Sequence, residues 1–293
     1  MSDAIAFIGL GAMGLPMAKR LLGNGHKLRG FDLNPASLAA LADAGGTPCQ
    51  SAAIAADGAG TLVLMVVNAA QARAVLFEAK ALDALAEGAT VILMATCSPA
   101  DALAIGEAVA ATGRQFIDAP VSGGVVGAES GTLSIMAAAP NATFKAAEPL
   151  LKTMGQKLFH VGETWGQGAS VKTINQLLCG VHIAVAAEAF ALGEKAGLDG
   201  KLLLEILGGS AAASWMLNNR GPRMLQAEPE VASAVDIFVK DLGIVTDAGK
   251  AARMGLPLAS TALQMFLAAS GAGHGKADDS QVIRAYRALN GLE

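Results

Sequence analysis

The sequence predicts an α/β fold, a doubly wound and mainly parallel sheet over roughly the first 160 residues, followed by an all-α region. Three observations carry this reading. Short apolar runs alternate with helix-length segments through the first half of the chain. A glycine-rich turn, Gly9-Leu10-Gly11-Ala12-Met13-Gly14, directly follows the first of those runs. Past Gly168 only helical periodicity remains.

Taken in order, Ala4–Ile8, Leu28–Phe31, Leu62–Val67, Val91–Met94, Phe116–Ile117 and Leu133–Ala137 read as strands. Strands this uniformly apolar are buried on both faces, which requires helices on both sides of the sheet. Asn34-Pro35 and Ser98-Pro99 each place a capping side chain before a proline at the first helical position, so a helix follows each. The alternation stops at Gly162-Glu163-Thr164-Trp165-Gly166-Gln167-Gly168, which predicts two domains, 1–163 and 164–293. The second opens on one helix from Ala169 to Ala196, about 28 residues or ~42 Å long, closed by Gly197. Apolar on nearly every side, that helix is expected to be buried between the domains or in a subunit interface.

Composition narrows the function classes. The 293 residues are 53% hydrophobic and 16% charged, with a net charge of −4 and no basic cluster, which removes the electrostatic footprint of a nucleic-acid binder. Binding to an anionic membrane surface loses its basis for the same reason. The apolar stretch Leu177–Ala187 contains His182 and falls short of the ~20 residues a bilayer span needs. Met1-Ser2-Asp3 carries an acid where a signal peptide carries basic residues. Cys49, Cys97 and Cys179 are too widely spaced for a disulfide framework or a CxxC metal pair. A soluble cytoplasmic protein without a metal is expected.

The Gly9–Gly14 turn has the spacing of a dinucleotide-binding Rossmann domain, where glycines permit the tight turn, close approach to a pyrophosphate, and helix–strand packing. In a chain with 35 glycines the spacing alone is weak. Asp32 strengthens it, ending the second strand 18 residues past Gly14, where an acid bonds the adenosine ribose. No Lys or Arg lies between Arg29 and Arg73 to compensate a 2′-phosphate, so NAD is preferred over NADP. The plain alternative for Asp32 is a turn or capping acid.

Asp118-Ala119-Pro120-Val121-Ser122-Gly123-Gly124 follows another strand, and its Ser-Gly-Gly turn can present backbone N–H groups to a carboxylate. Taken alone, it reads as an ordinary tight turn. Lys172, Asn175 and Gln176 share one face near the start of the long helix, a polar cluster able to converge on a small polar ligand. His26, His160 and His182 are isolated and read as structural, and Asp278-Asp279-Ser280 reads as the N-cap of the last helix. Trp215 and Asn219, one helical turn apart, either close a pocket or pack helices.

With these residues in view, the chain resembles the β-hydroxyacid dehydrogenase family, the group of 3-hydroxyisobutyrate dehydrogenase and tartronate semialdehyde reductase. Four blocks carry the resemblance in the family's order: Phe7 to Ala18, Asp118 to Gly124, Gly166-Gln167-Gly168 with Lys172 and Asn175, and Lys240-Asp241-Leu242-Gly243. Asn175-Gln176-Leu177-Leu178, Ser214-Trp215-Met216, Asn219-Arg220 and Gly273 to Ser280 are similar to a subgroup acting on sugar acids. Two positions depart from the family pattern. Gln176 stands where a second Asn is common, which touches the substrate pocket, and Val66-Val67 stand where Leu-Pro is common.

The resemblance implies Lys172 as catalytic acid/base, with Ser122, Gly123, Gly124 and Asn175 holding the substrate. It implies a cofactor shell of Gly9, Leu10, Gly11, Ala12, Met13, Gly14, Asp32, Val66, Val67, Gln71, Thr96 and Lys240 around NAD. It also implies a homodimer or homotetramer. The activity expected is oxidation of a small hydroxy acid, with the cofactor carrying the redox step and the protein the proton path. An ordinary lysine titrates near ~10.4, so a base role for Lys172 predicts oxidation favoured by alkaline pH. The rival from another class is a non-catalytic nucleotide-binding protein on the same fold, against which Lys172 argues.

Overall fold

The computed structural model describes residues 4–292; Met1-Ser2-Asp3, read above for the absence of a basic leader, lie outside the described residues. The chain divides into two compact units, Met1–Lys172 and Thr173–Glu293.

The first unit alternates strand and helix: β1 (Ile5–Ile8), α1 (Gly14–Gly23), β2 (Leu28–Phe31), α2 (Pro35–Asp43), β3 (Thr47–Pro48), α3 (Ala52–Ala56), β4 (Thr61–Leu64), α4 (Ala69–Arg73), α5 (Ala81–Ala84), β5 (Thr90–Leu93), α6 (Pro99–Ala110), β6 (Gln115–Asp118), β7 (Val121–Ser122), α7 (Gly124–Ser130), β8 (Ser134–Ala138), α8 (Asn141–Met154) and β9 (Lys157–Gly162). The sheet order is β3-β2-β1-β4-β5-β6-β8-β7, with β9 added to β8. Pairing is parallel from β3 to β6, while β8 runs antiparallel to β6 and β7. The strand order reverses between β1 and β4, and a doubly wound sheet binds its ligand beyond the strand ends at that switch point.

Alternate residues of the central strands feed two cores. Phe7, Val63, Ile92 and Ile117 pack with Met17, Leu21 and Leu151 on one face. Ile8, Leu64, Val91 and Phe116 pack with Leu76, Ile105 and Val109 on the other. The two helix starts read from the sequence are capped as expected, Asn34 Oδ1 accepting from Ala36 N at 3.0 Å and Ser98 Oγ from Asp101 N at 3.1 Å.

Three strands escape the sequence reading. β3 and β7 have two residues each, too short for a period, and β9 is only partly buried with His160 in its middle. The run Leu62–Val67 also needs correcting. Its strand ends at Leu64, and Val66 and Val67 belong to the following loop.

The long helix, α9 (Gln167–Lys195), has 29 residues. The unit division falls within it, so its first turns belong with the sheet. In the second unit it is followed by α10 (Gly200–Gly208), α11 (Trp215–Met224), α12 (Val235–Ala251), α13 (Pro257–Ala269) and, after a short 3-10 turn at Asp279–Val282, α14 (Ile283–Asn290). Ile183, Ala187 and Phe190 of α9 share a core with Phe238, Leu242, Phe266 and Ile283. Close approach explains Gly180 and Gly193 there: a Cβ would meet Leu242 at 2.7 Å from the first and Leu203 at 2.4 Å from the second.

Within a single chain α9 is buried on only part of its surface. By length and composition it would qualify as a membrane span, and half of its most apolar window is buried inside the protein. Ile174, Leu178, Val185 and Leu192 remain exposed along one stripe of the helix, because the second unit packs against its other sides.

Candidate active site

The dinucleotide turn is built by steric necessity. Gly9 has φ of +92°, and a Cβ there would sit 2.5 Å from the Met65 carbonyl oxygen. A Cβ on Gly14 would sit 1.8 Å from the Gly9 carbonyl oxygen, so the first turn of α1 can close onto β1 only with glycine. Gly11 has open space where its Cβ would stand, the side from which a pyrophosphate approaches. Leu10, Ala12 and Met13 complete the turn between β1 and α1. Asp32, just past β2, accepts from Leu10 N at 2.6 Å through Oδ2 and from Asn34 N at 2.8 Å through Oδ1. This carboxylate braces the turn at the point where a ribose would lie. These residues fit a nicotinamide dinucleotide.

The next sites follow the ends of the neighbouring strands. Val66 and Val67 follow β4, and the Gln71 side chain holds that loop by accepting from Val67 N at 2.9 Å. Thr96 follows β5. All sit at the carboxyl edge of the sheet, where the switch point opens.

Asp118 ends β6 and is 1% exposed. Its Oδ2 accepts from Gly166 N at 3.0 Å and from Ala169 N at 2.9 Å, and Gly168 N also bonds the carboxylate. Burial pushes its carboxyl up to about 6 despite these three amides. Beyond Asp118 the chain turns through Ala119-Pro120 into β7 and reaches Gly123 and Gly124 at φ of +134° and +62°. That backbone favours glycine and presents successive N–H groups beside Ser122. Gly166 and Gly168 are explained by crowding. A Cβ on the first would meet the Pro99 carbonyl oxygen at 2.7 Å, and on the second the Met136 carbonyl oxygen at 2.5 Å. Lys172 is buried in the second turn of α9, 7% exposed.

Within the second unit, side chains form a chain of contacts absent from the sequence reading. Asn175 Nδ2 donates to Gln176 Oε1 at 2.8 Å, Gln176 Nε2 donates to Asp241 Oδ2, and Lys240 Nζ pairs with Asp241 Oδ1 at 2.7 Å. Asn175 and Lys240, two residues assigned from the resemblance, are thus joined through Gln176 and Asp241. The expected convergence of Lys172, Asn175 and Gln176 on a ligand is revised, because the Gln176 amide is engaged with Asp241.

The Asp278-Asp279-Ser280 cap reading is right in part. Asp278 Oδ1 accepts from Ser280 N at 3.2 Å but also pairs with Arg223 at 2.9 Å. Asp279, fully buried, takes both prongs of the Arg220 guanidinium, at 3.0 and 2.8 Å. The Arg220 guanidinium also lies 5.8 Å from the Trp215 ring and donates to Asn219 Oδ1 at 2.7 Å. His160 stacks on Phe144 at 4.2 Å and contacts the Ala139 carbonyl oxygen at 2.8 Å, the structural role expected of it.

Residues 4–162 match the model of the NAD binding domain of 6-phosphogluconate dehydrogenase. Residues 166–286 match the NAD-binding domain of NADP-dependent 3-hydroxyisobutyrate dehydrogenase. The L-threonate dehydrogenase of Cupriavidus necator is 46% identical, the alignment covering 98% of this chain and 97% of that one. The 3-hydroxyisobutyrate dehydrogenase of Pseudomonas aeruginosa is 36% identical over 98% of this chain and 99% of its own. A crystal structure described as 3-hydroxyisobutyrate dehydrogenase from Salmonella typhimurium superposes with a TM-score of 0.91 at 43% identity, covering 96% of this chain and 99% of that one. With both halves of the chain matched and full-length relatives well above the level of chance, this chain belongs to the β-hydroxyacid dehydrogenase family of NAD-dependent oxidoreductases acting on CH–OH groups.

Proposed function

We propose that this chain oxidises L-threonate to its 2-oxo acid with NAD, Lys172 serving as acid/base. The observation that carries the chemistry is the placement of Lys172. It is buried in the second turn of α9, whose first turn is bonded to Asp118 at the very strand end that leads into Ser122–Gly124. The substrate assignment is supported by the L-threonate dehydrogenases among the relatives, which match over almost the whole chain.

On this reading residues 1–163 form the NAD-binding domain and residues 164–293 the helical substrate and dimerisation domain. Gly9 to Gly14, Asp32, Val66, Val67, Gln71, Thr96 and Lys240 hold the dinucleotide. The bound cofactor supplies the hydride-accepting ring. The N–H groups and hydroxyl of Ser122, Gly123 and Gly124 hold the substrate carboxylate, and the Asn175 amide, one turn beyond Lys172 on α9, serves a substrate hydroxyl. Lys172 Nζ takes the proton of the hydroxyl being oxidised and returns it in the reverse direction. NAD rather than NADP is supported by Asp32, whose carboxylate would face a 2′-phosphate. The exposed apolar stripe Ile174, Leu178, Val185 and Leu192 supports self-association as a dimer or tetramer, which a monomer in light scattering would overturn. The three scattered cysteines and the lack of a basic cluster support a cytoplasmic setting.

A second reading is favoured by the Salmonella structure and the Pseudomonas relative: 3-hydroxyisobutyrate, or tartronate semialdehyde in the reductive direction, as substrate. Nicotinamide absorbance with NAD and NADP separates the readings, run against L-threonate, 3-hydroxyisobutyrate and glycerate. NAD-linked turnover of L-threonate, lost in Lys172→Ala, is the expected result. Turnover of 3-hydroxyisobutyrate without turnover of L-threonate would transfer the assignment to the second reading.

A further inference from the structure

We propose that Asp118 is a positioning residue for the reaction, clamping the first turn of the helix that carries Lys172 to the strand end that leads into Ser122–Gly124. The inference rests on the assignment of Lys172 as acid/base, and every group in it lies in the first unit.

A helix begins with backbone N–H groups that have no intrahelical acceptor, and they are usually capped by a side chain a few residues away. Here the acceptor comes from a strand 48 positions earlier for Gly166 and 51 positions earlier for Ala169. Both bonds converge on a single oxygen, Oδ2. The buried carboxylate also opposes the positive end of the helix that carries Lys172. The contact is reinforced on either side. Trp165 Nε1 donates to the Phe116 carbonyl oxygen at 3.0 Å, and its ring meets the Phe116 ring edge-on at 5.8 Å. Gly168 lets the helix start lie against β6 and β8, since a Cβ there would press on the carbonyl oxygens of Asp118 at 2.7 Å and Met136 at 2.5 Å.

The consequence is geometric. Ser122, at the end of β7, and Gly123 and Gly124 beyond it lie four to six residues after Asp118, while Lys172 stands three residues after Ala169, one helical turn on. One carboxylate therefore fixes the lysine against the loop proposed to hold the substrate carboxylate. A displacement of the order of an ångström between reacting groups costs about 10²-fold in rate.

The test compares Asp118→Ala, Asp118→Ser and Asp118→Asn with wild type and with Lys172→Ala. Its readouts are kcat and KM for L-threonate, NAD affinity by calorimetry, and amide hydrogen exchange over residues 166–172 without cofactor. Asp118→Ala and Asp118→Ser are expected to lower kcat about 10²-fold, leave NAD affinity unchanged and speed exchange at Gly166, Gly168 and Ala169. Asp118→Asn, which keeps an oxygen able to accept the same bonds, is expected to recover most of kcat and the slow exchange. If Asp118→Ala does not fold, Asp118→Ser carries the comparison. Wild-type kcat in folded Asp118→Ser, or Asp118→Asn as slow as Asp118→Ser, overturns the proposal. Full turnover in Lys172→Ala would instead sink the functional reading, and the exchange rates would then decide the clamp by themselves.

Discussion

The two units hold polar groups in different ways. In the first, the candidate ligand-binding groups are placed by backbone: strand ends, glycines at positive φ, and amides gathered at the sheet's carboxyl edge. In the second, they are placed by side chains gripping side chains. Arg220 reaches Asp279 across 59 positions and Gln176 reaches Asp241 across 65. Backbone placement is stable against most single substitutions, because the hydrogen-bonding groups remain whatever the side chain. Placement by buried charge is not, because removing one partner strands the other in a medium that cannot solvate it. Asp118 links the two styles, a buried carboxylate in the first unit serving backbone donors.

Four measurements break or sharpen this contrast. The largest effect is expected from Lys172→Ala, which removes the side chain proposed as acid/base, a role no backbone group can take. Turnover should fall about 10²- to 10⁴-fold, the span typical of a lost general acid or base, with NAD affinity retained. A loss of less than ten-fold at saturating substrate would mean that the proton leaves by another route.

Next comes Arg220→Ala, which strips buried Asp279 of both short guanidinium bonds and leaves it only the longer contact with Arg223 at 3.8 Å. It should cost about 3–5 kcal/mol in urea unfolding, as for other broken buried pairs. A loss below about 1 kcal/mol would place the pair with exposed salt bridges and erase the difference between the units.

The third measurement concerns Asp118. Its carboxyl titrates at about 6 when folded against 3.8 for the ordinary side chain, so the folded state binds the proton more tightly than the unfolded state. Its contribution to stability is therefore fully present below pH 4 and is lost as the pH rises through about 6. The stability of wild type relative to Asp118→Asn should decline by up to about 3 kcal/mol between pH 4 and pH 7. A flat difference across that window would show the amides fully compensating burial.

Smallest is Ser98→Ala, which removes a local cap from α6. It should lower stability by about 1 kcal/mol without changing catalysis. A loss as large as that of Arg220→Ala would contradict the robustness attributed to the first unit.

Most of the first unit was legible from the sequence because its signals are local. Gly14 is demanded by a contact within its own turn and Gly9 by the positive φ of that turn, and Asn34 and Ser98 cap helices starting at the next residue. Misreadings clustered where local pattern is thin. β3 and β7 hold only two residues each, and Val66-Val67 continue the apolar run past the strand's end. The candidate site was half legible. The glycine turn, Asp32, the Ser122–Gly124 loop and Lys172 stand out by spacing or resemblance, whereas Asp118 appeared only as the first letter of a motif. In the second unit, Asp278-Asp279 looked like a cap because capping is a local habit of aspartate, and the arginines that claim them lie 55 to 59 positions away.

The sequence by itself determined the alternation of strands and helices, the dinucleotide turn and the long helix, and it named the candidate site residues. Periodicity, glycine sterics and capping act within a few residues and leave their marks there. Only the tertiary structure decided that Asp118 serves the start of the lysine's helix, that Gln176 turns to Asp241, that Arg220 and Asp279 share a buried site, and that one stripe of α9 stays exposed. Those outcomes follow from desolvation, which makes every buried polar group seek a partner and leaves the choice to whichever distant segment the packing brings within reach.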